Sequence, residues 1–361
     1  MKRIIIAGGG TGGHLYPGIA VAREMQKRYK DIEILFVGTE NGIEAKVLPK
    51  EGFKLRTIRI AGLIGKGLLK KLGTLIMIPM SLIDSFKILS EFRPQCVIGV
   101  GGYASGPIIL SAVIRRIPTV ILEQNVIPGA TNRMLSYLVD KAAVAFDDTR
   151  KFLSKGCSAV VAGNPIREEI YNRKVERTSG KFTILIHGGS LGAHTINIKM
   201  VEAIGYLNLM KDKIRIIHQT GEGDYGVVKD AYDKAGCDAV VSPYIYDMAS
   251  AYSEADLVIS RAGATTVAEL TACGKAAILI PFPFATHNHQ EMNARALEWA
   301  GAAEVILNKD LNGKLIADRV FYYANNRDRL EEMKKKSMGL GKRNAASKIV
   351  NICGELFTGD V

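Results

Sequence analysis

The sequence has few of the features that mark secreted, disulfide-bonded or metal-binding proteins. Its five cysteines, at positions 96, 157, 237, 273 and 353, are scattered and form no C-x-x-C pair. Single cysteines beside apolar segments are typical of reduced thiols packed in a core. No Asp-x-Asp motif is present, and the isolated pair Asp147-Asp148 is typical of a solvated loop. We therefore expect a reducing compartment and no obligatory metal.

A secretion signal is also missing from the sequence. The N-terminal Met1-Lys2-Arg3 is basic, but the apolar run that follows covers only residues 4–7 before glycines begin. That run is too short for a signal peptide. The sequence therefore favours a cytoplasmic protein.

Acidic and aromatic residues are scarce relative to basic ones. Lys and Arg total 48 against 36 Asp and Glu, which gives a net charge of +12 and a pI near 9.4. This excess favours an anionic partner, such as a phosphorylated substrate or an acidic membrane surface. Aromatic residues make up only 7%, with one tryptophan, and no recognition motif for nucleic acid is present. We therefore expect no nucleic-acid partner.

Short β-rich segments alternate with longer helical patterns along the chain, which indicates βαβ units and parallel sheets. The pattern predicts an α/β protein with seven strands in the first half and six in the second. They lie near residues 4–7, 33–37, 55–60, 96–100, 119–122, 142–145, 159–161, 182–187, 214–218, 239–242, 257–260, 276–280 and 304–307.

The strand pattern restarts near residue 182, where a strand, a glycine loop and a helix repeat the opening of the chain. Two Rossmann-like domains follow from this repeat, with their parallel sheets facing a central cleft and ligands at the carboxyl ends of the strands. We expect residues 1–163 to form the first domain and 164–342 the second. A final helix near 343–357 has no strand after it and is expected to pack back across the junction.

The first glycine loop, residues 7–14, ends in His14. Gly8, Gly10 and Gly13 satisfy G-x-G-x-x-G, but the acidic residue of a dinucleotide site is expected about 20 positions later, and Glu40 arrives late for it. A nicotinamide site is therefore disfavoured. An imidazole at the mouth of a glycine loop is instead suited to proton chemistry near neutral pH.

The second glycine loop, residues 188–192, allows two interpretations. As G-x-S-x-G it is typical of a hydrolase nucleophile elbow, with Ser190 as the nucleophile and His287 or His289 as the base. That hypothesis leaves the first glycine loop without a role. The alternative is that Ser190 and the glycines bind phosphate through N–H and hydroxyl donors.

A third informative stretch is residues 261–269. Gly263 opens a turn after a strand, and Thr265 or Thr266 can cap the helix that carries Glu269. The first turn of such a helix suits a diphosphate. Glu269 either accepts hydrogen bonds from a vicinal diol such as a ribose or only stabilises the helix start. Spacing alone leaves both readings open.

Seven motifs in order resemble those of the MurG family of N-acetylglucosaminyltransferases, glycosyltransferase family 28. They are GGGTGGH (8–14), GGYASG (101–106), EQN (123–125), GNPIR (163–167), GGSLGA (188–193), RAGATTVAE (261–269) and HQEMNA (289–294). The resemblance spans essentially the whole chain and implies the GT-B fold, with the acceptor on the first domain and the sugar nucleotide mainly on the second. It also implies that the C-terminal helix returns to the first domain.

The resemblance implies transfer of N-acetylglucosamine, with inversion, from UDP-N-acetylglucosamine to the C4 hydroxyl of lipid I, undecaprenyl-diphospho-N-acetylmuramoyl-pentapeptide. The product would be lipid II of peptidoglycan synthesis. The alternative is another GT-B enzyme that uses a UDP-sugar, such as a diacylglycerol glycosyltransferase or a UDP-sugar epimerase. No cofactor is implied.

The donor residues that the resemblance implies are Thr11, Gly12, Gly13, Asn125, Arg167, Ser190, Ile245, Ala264, Thr265, Thr266, Glu269, His289 and Gln290. Glu269 would take the ribose hydroxyls, Ile245 the uracil edge, Ser190 the diphosphate and Gln290 the sugar hydroxyls. His289 replaces the second glutamine of some relatives, and Leu122 stands where some carry a histidine.

The acceptor side would be formed by Gly10, Gly13, Gly102, Tyr103 and Gly106, whose loops present N–H groups to the lipid diphosphate. A sugar hydroxyl is a poor nucleophile, so a base must remove its proton as the bond forms. His14 is the candidate base. The alternative is that His14 only contacts a phosphate or caps the helix.

A lipid-linked acceptor directs attention to residues 72–83, an uncharged stretch preceded by Lys66, Lys70 and Lys71. Twelve residues are too few to span a bilayer, whereas Ile76, Met80 and Ile83 fall on one helical face and favour an interfacial segment. We expect peripheral docking on the anionic cytoplasmic side of the membrane. An ordinary core helix is the alternative.

Overall fold

The structure is a computed structural model that describes residues 1–60, 68–172, 179–189 and 192–358, with the backbone alone at 68–76 and 358. The chain divides into two compact units. The first contains Met1–Arg167 together with the C-terminal segment from Arg343, and the second contains Glu168–Lys342.

The first unit is a parallel sheet flanked by helices. Its strands are β1 (Arg3–Gly8), β2 (Glu33–Gly38), β3 (Lys54–Thr57), β4 (Cys96–Gly101), β5 (Thr119–Glu123), β6 (Lys141–Val144) and β7 (Ala159–Val161). Its helices are α1 (Gly12–Arg28), α2 (Ile43–Val47), α3 (Leu68–Phe92), α4 (Ser105–Ile114), α5 (Ala130–Leu135) and α14 (Ala345–Thr358), with a 3-10 helix at Asp147–Phe152.

The strand order β3-β2-β1-β4-β5-β6-β7 places β1 in the interior of this sheet, between β2 and β4. Ile4, Ile5 and Ile6 are fully buried, as expected for a parallel strand covered on both faces. The order reverses between β1 and β4, so the carboxyl ends of these two strands mark the switch point where open α/β sheets bind ligands.

The C-terminal helix α14 belongs to the first unit and packs on α1. Ile349 and Cys353 from α14 lie in the same buried cluster as Leu15 and Met25 from α1. Arg28 near the end of α1 adds hydrogen bonds to the side chains of Ser347 and Asn351. The end of the chain thus completes the core under the first helix.

The second unit repeats the parallel architecture, with strand order β10-β9-β8-β11-β12-β13. Its strands are β8 (Phe182–His187), β9 (Ile214–Gln219), β10 (Ala239–Ser242), β11 (Leu257–Ser260), β12 (Ala276–Leu279) and β13 (Glu304–Val305). Its helices are α6 (Glu169–Asn172), α7 (His194–Leu207), α8 (Tyr225–Ala235), α9 (Met248–Glu254), α10 (Ala264–Cys273), α11 (His289–Trp299), α12 (Gly313–Asn325) and α13 (Arg327–Leu340), with 3-10 helices at Asn208–Met210 and Thr286–Asn288.

The prediction of two Rossmann-like parallel sheets with seven and six strands is confirmed over the described residues. The edge strands differ from expectation, because β3 ends at Thr57 and β13 is only two residues long. An edge strand pairs on one side only, so fewer hydrogen bonds extend it.

A buried carboxylate fixes the first glycine loop. Glu44 in α2 is fully buried, and its oxygens accept hydrogen bonds from Gly10 N–H at 2.7 Å and from the N–H and hydroxyl of Thr39 at 2.8 Å each. A Cβ at Gly9 or Gly42 would lie within 2.5 Å of a Glu44 oxygen. Burial by itself would raise the pKa of Glu44, but these hydrogen bonds outweigh it and hold the pKa below its ordinary value.

We expect Glu44→Gln to loosen the loop, because the amide nitrogen would face backbone N–H groups that need an acceptor. An unsatisfied buried donor costs about 1–3 kcal/mol. Amide hydrogen exchange at Gly10 and Thr39 should therefore accelerate in the variant at pH 7. Because the pKa of Glu44 is lowered on folding, its stabilisation is complete above the ordinary carboxyl pKa and is lost as the pH falls through the folded value.

The difference between wild type and Glu44→Gln should accordingly shrink as the pH is lowered below about 4.5. Glu91→Gln is the control, since Glu91 forms a surface pair with Arg56. Equal exchange at Gly10 in wild type and Glu44→Gln would contradict the role assigned to this carboxylate.

Candidate functional site

Two glycine loops of the first unit touch through their backbones at the end of β1 and β4. Gly9 N–H donates to the Gly101 carbonyl at 3.2 Å. A Cβ at Gly8 would lie 2.2 Å from the Gly101 oxygen, and one at Gly102 would lie 2.4 Å from the Gly9 oxygen. No side chain fits at either position, so the GGGTGGH and GGYASG motifs form one continuous surface.

The imidazole of His14 lies on this surface. A Cβ at Gly101 would fall 3.1 Å from both Cε1 and Nδ1 of His14, so the ring packs on the bare α-carbon of Gly101. His14 is half-buried in the first turn of α1, and its backbone N–H donates to the Thr11 carbonyl at 3.2 Å. The structure therefore brings the candidate base and the GGYASG motif (101–106) together.

The acceptor residues expected from the sequence lie around this surface. Tyr103 is 44% exposed, and Gly106 lies in the first turn of α4. The residues of this loop that the resemblance assigns to the donor lie beside them: Thr11 is the N-cap of α1, and Gly12 and Gly13 are its first residues. The N–H of Gly10 donates to Glu44, so an acceptor phosphate here would use other donors of the loop.

Asn125 follows β5 and is held by a second buried carboxylate, Glu123. Glu123 accepts bonds from the backbone and side-chain nitrogens of Asn125, at 3.0 and 3.2 Å, from Gly129 N–H at 3.1 Å and from the Asn132 amide at 2.8 Å. Burial raises the pKa of Glu123, and these donors partly oppose the increase. Gln124 ties the same segment to β4 through the Val100 carbonyl, at 3.0 Å.

Arg167 lies at the end of the first unit. Its guanidinium carbon sits 5.4 Å from the ring centroid of Tyr16, which is within cation–π range. Tyr16 follows His14 by two residues on α1, so the structure places Arg167 and His14 at the same end of that helix.

In the second unit, the glycine loop after β8 touches the loop after β9. A Cβ at Gly192 would lie 1.9 Å from the Thr220 oxygen, so only glycine fits there. Ser190 lies outside the described residues. Glycines at 188 and 189 lead from β8 toward it, and α7 begins at His194.

Gln219, at the end of β9, joins two parts of the expected donor site. Its side-chain nitrogen donates to the Gly189 carbonyl at 2.7 Å, and its oxygen accepts the Ile245 N–H at 3.3 Å. Gln219 is 3% exposed. Sequence reasoning missed this residue, because a polar side chain at a strand end gives no sign of its distant partners.

A buried hydrogen-bond network supports the adjacent loop. His218 contacts the Tyr232 hydroxyl at 2.9 Å and the Asn197 oxygen at 3.0 Å, and Asn197 donates to the Thr220 carbonyl at 2.8 Å. Burial lowers the pKa of His218 to about 3, so its ring is uncharged near neutral pH. The His218 ring therefore adds no positive charge under this loop, and Asn197 also donates to the Asp224 carboxylate at 2.7 Å.

The stretch 261–269 follows β11 directly and forms the start of α10. Gly263 is the N-cap, and Ala264, Thr265 and Thr266 make the first turn. Among the side chains that the structure describes, the Thr265 hydroxyl is one of the few buried polar groups with no hydrogen-bond partner. Glu269 is half-buried one turn further along. This helix start therefore combines backbone donors, a hydroxyl and a carboxylate.

His289 and Gln290 open α11. The Nδ1 atom of His289 lies 2.7 Å from the Thr286 carbonyl; since a carbonyl only accepts, Nδ1 carries the proton and Nε2 of the neutral ring is an acceptor. The Gln290 oxygen accepts the Phe282 N–H at 3.0 Å, which leaves its nitrogen oriented as the donor. The two side chains thus offer complementary groups.

The segment expected to touch a membrane lies in α3. Met80 is half-buried and Ile83 is 64% exposed, while the side chain of Ile76 lies outside the described residues. Arg115 at the end of α4 donates to the Phe86 carbonyl and the Ser90 hydroxyl of α3. No described helix combines the length and apolar character needed to cross a membrane.

Comparison with known proteins identifies the family of both units. Residues 4–144 match the glycosyltransferase family 28 N-terminal domain, and residues 183–350 match the glycosyltransferase family 28 C-terminal domain.

Two curated relatives carry the same name, UDP-N-acetylglucosamine–N-acetylmuramyl-(pentapeptide) pyrophosphoryl-undecaprenol N-acetylglucosamine transferase. The protein of Thermodesulfovibrio yellowstonii is 47% identical, with 98% of this chain and 99% of the relative covered. That of Syntrophus aciditrophicus is 49% identical, with 97% and 98% covered.

A crystal structure of MurG from Acinetobacter baumannii agrees in fold, with a TM-score of 0.79 at 30% identity over 98% of this chain and 100% of that one. Both domains and near-complete relatives thus lead to one assignment: the chain belongs to glycosyltransferase family 28, in the group of the MurG N-acetylglucosaminyltransferases.

Proposed function

We propose that the chain transfers N-acetylglucosamine from UDP-N-acetylglucosamine to the C4 hydroxyl of lipid I, with inversion at C1, to form lipid II. The observation that carries the proposal is the near-complete alignment, at 47% and 49% identity, with transferases whose names state this donor and acceptor. The described geometry supports a division of labour in which the second unit binds the donor and the first unit binds the acceptor.

In the second unit, the start of α10 is suited to a nucleoside diphosphate. Backbone N–H groups and the positive end of a helix dipole stabilise phosphate oxygens, and the Thr265 hydroxyl supplies a further buried donor. As UDP departs, its growing charge is stabilised by donors that are already in place. Glu269 accepts from the ribose hydroxyls, and the Ile245 segment contacts the uracil.

Gln290 and His289 fit the sugar hydroxyls. The donor nitrogen of Gln290 and the acceptor Nε2 of His289 match the two hydrogen-bonding roles of a hydroxyl group. Asn125, and Arg167 held over Tyr16, are residues of the first unit that the resemblance assigns to the donor, together with Thr11, Gly12 and Gly13.

In the first unit, His14 acts as the base. The acceptor C4 hydroxyl loses its proton to the imidazole while its oxygen bonds to C1 of N-acetylglucosamine and the bond from C1 to the UDP oxygen breaks. The imidazole must be unprotonated to accept this proton. The contact of its ring with the α-carbon of Gly101 fixes the orientation of the ring. The joined glycine loops hold the lipid diphosphate nearby.

The experiment that tests the function is transfer of labelled N-acetylglucosamine from UDP-N-acetylglucosamine to a short-chain lipid I analogue. We expect a labelled disaccharide product, with far less transfer when UDP-glucose replaces the donor or diacylglycerol replaces the acceptor. Transfer to diacylglycerol in place of the lipid I analogue would overturn the proposal.

His14→Ala and His14→Gln should both reduce turnover by about 100- to 10,000-fold, the range typical of a lost general base. Glutamine can still hydrogen-bond a phosphate, so a purely binding role would leave His14→Gln active. Near-normal kcat in His14→Gln would return His14 to a contact role.

We further propose that α3 and the adjoining end of α4 dock on the anionic cytoplasmic face of the membrane as a peripheral contact. Ile83 and Ile114 are 64% and 60% exposed, and Arg115 and Arg116 follow directly after Ile114. Exposed apolar side chains beside cations suit the interface of an acidic bilayer, where a lipid-linked acceptor resides.

Ile83→Glu combined with Ile114→Glu should reduce sedimentation with phosphatidylglycerol vesicles by about tenfold or more, given the free energy of burying an isoleucine. Leu209→Glu is the matched control, because Leu209 is an apolar residue of the second unit that is 87% exposed. An equal loss of sedimentation in the double variant and in Leu209→Glu, or no loss in either variant, would contradict docking and favour an ordinary solvent-exposed helix.

A further inference from the structure

Glu269 is contacted by a buried tyrosine of the neighbouring helix. The Tyr252 hydroxyl, on α9, donates to Glu269 Oε2 at 3.1 Å. Tyr252 is fully buried and is among the largest fully buried side chains of the protein. A buried phenol requires a hydrogen-bond partner, and here that partner is the carboxylate that the proposed function assigns to the ribose.

A histidine lies on the other side of the same hydroxyl. His187, the last residue of β8, has its Nε2 3.4 Å from the Tyr252 oxygen, with the two rings edge to face at 6.0 Å. The carboxylate takes the one phenolic proton, so the hydroxyl oxygen can only accept from Nε2–H. The three groups form a chain in which His187 donates to Tyr252 and Tyr252 donates to Glu269.

In this series of hydrogen bonds, only the Glu269 carboxylate is charged. His187 is 4% exposed, and burial lowers its pKa to about 4. Burial likewise raises the pKa of Tyr252 well above its ordinary value, and the neighbouring Glu269 adds to this. Near neutral pH both rings therefore act as neutral donors, and the negative charge stays on the carboxylate that is expected to meet the diol.

We propose that Tyr252, supported by His187, is a positioning residue that fixes the Glu269 carboxylate for recognition of the ribose 2′- and 3′-hydroxyls. This inference rests on the proposed function. It adds the residues that determine how much the ribose hydroxyls contribute to the affinity for the donor. A glutamate side chain has several rotatable bonds, and holding Oε2 restricts them before the nucleotide binds. The entropy of ordering the carboxylate is then not lost on binding.

The test measures affinity for UDP and for 2′,3′-dideoxy-UDP by calorimetry. Wild type should bind UDP more tightly, because only UDP offers the diol. Tyr252→Phe removes one oxygen and keeps the ring that fills the core. We expect this variant to bind UDP about tenfold more weakly, in line with loss of a hydrogen bond to a charged group, while its affinity for the dideoxy nucleotide stays within about twofold of wild type.

Tyr323→Phe is the matched control. Tyr323 is 4% exposed in the same unit, and its hydroxyl donates to a glutamate, Glu304, at 2.7 Å. This variant should keep the wild-type ratio of the two affinities. His187→Leu, like Tyr252→Phe, should lower the ratio of the affinity for UDP to that for the dideoxy nucleotide. His187→Gln keeps a donor and should lower this ratio less.

Equal weakening of both nucleotides in Tyr252→Phe would mean that Tyr252 only supports the fold, and it would overturn the inference. An unchanged affinity for UDP would overturn it as well. Glu269→Ala separates this failure from that of the proposed function. If Glu269→Ala abolishes the preference for UDP while Tyr252→Phe keeps it, only the positioning role is wrong; if Glu269→Ala keeps the preference, the ribose assignment itself is wrong.

Discussion

The described site depends on a steric constraint, the close approach of backbones where neighbouring parallel strands end. In the first unit Gly8 and Gly101 leave no room for a side chain, since a Cβ at Gly8 would lie 2.2 Å from the Gly101 oxygen. The loops after β1 and β4 can therefore touch. That contact places the His14 ring on Gly101, because α1 starts directly after the first loop. A larger residue at Gly8 would separate the loops and move the imidazole with them.

The second unit repeats the constraint with a different kind of support. Gly192 lies against the Thr220 carbonyl. The neighbouring groups are the amide of Gln219 and the network of His218 and Asn197, which also reaches the Asp224 carboxylate. The first unit instead uses the carboxylates Glu44 and Glu123. The direct hydrogen bonds to the loops of the second unit thus come from neutral amides, whereas the loops of the first unit donate to carboxylates. Sequence similarity between the glycine motifs conceals this difference.

The sequence predicts the strands and the motifs well because both depend on local patterns. Apolar runs and glycine clusters are read directly, and the two sheets follow from them. The supporting residues are not readable in this way, since Glu44 meets Gly10 from 34 positions away and Tyr252 meets Glu269 from 17. The sequence around a single Glu or Tyr in a helical pattern does not indicate which distant residue its side chain contacts. Such contacts follow only from the topology of the folded sheet.

These supports explain how loops rich in glycine can hold a reactive geometry. Glycine allows the close approach but leaves the backbone more freedom than any other residue. A buried carboxylate that accepts several directed N–H bonds removes that freedom, because slippage would leave donors or a charge unsatisfied. Glu44 and Glu123 act on backbone in this way, and Tyr252 acts on the side chain of Glu269. The residues to which we assign chemical roles are thus held by groups to which we assign none.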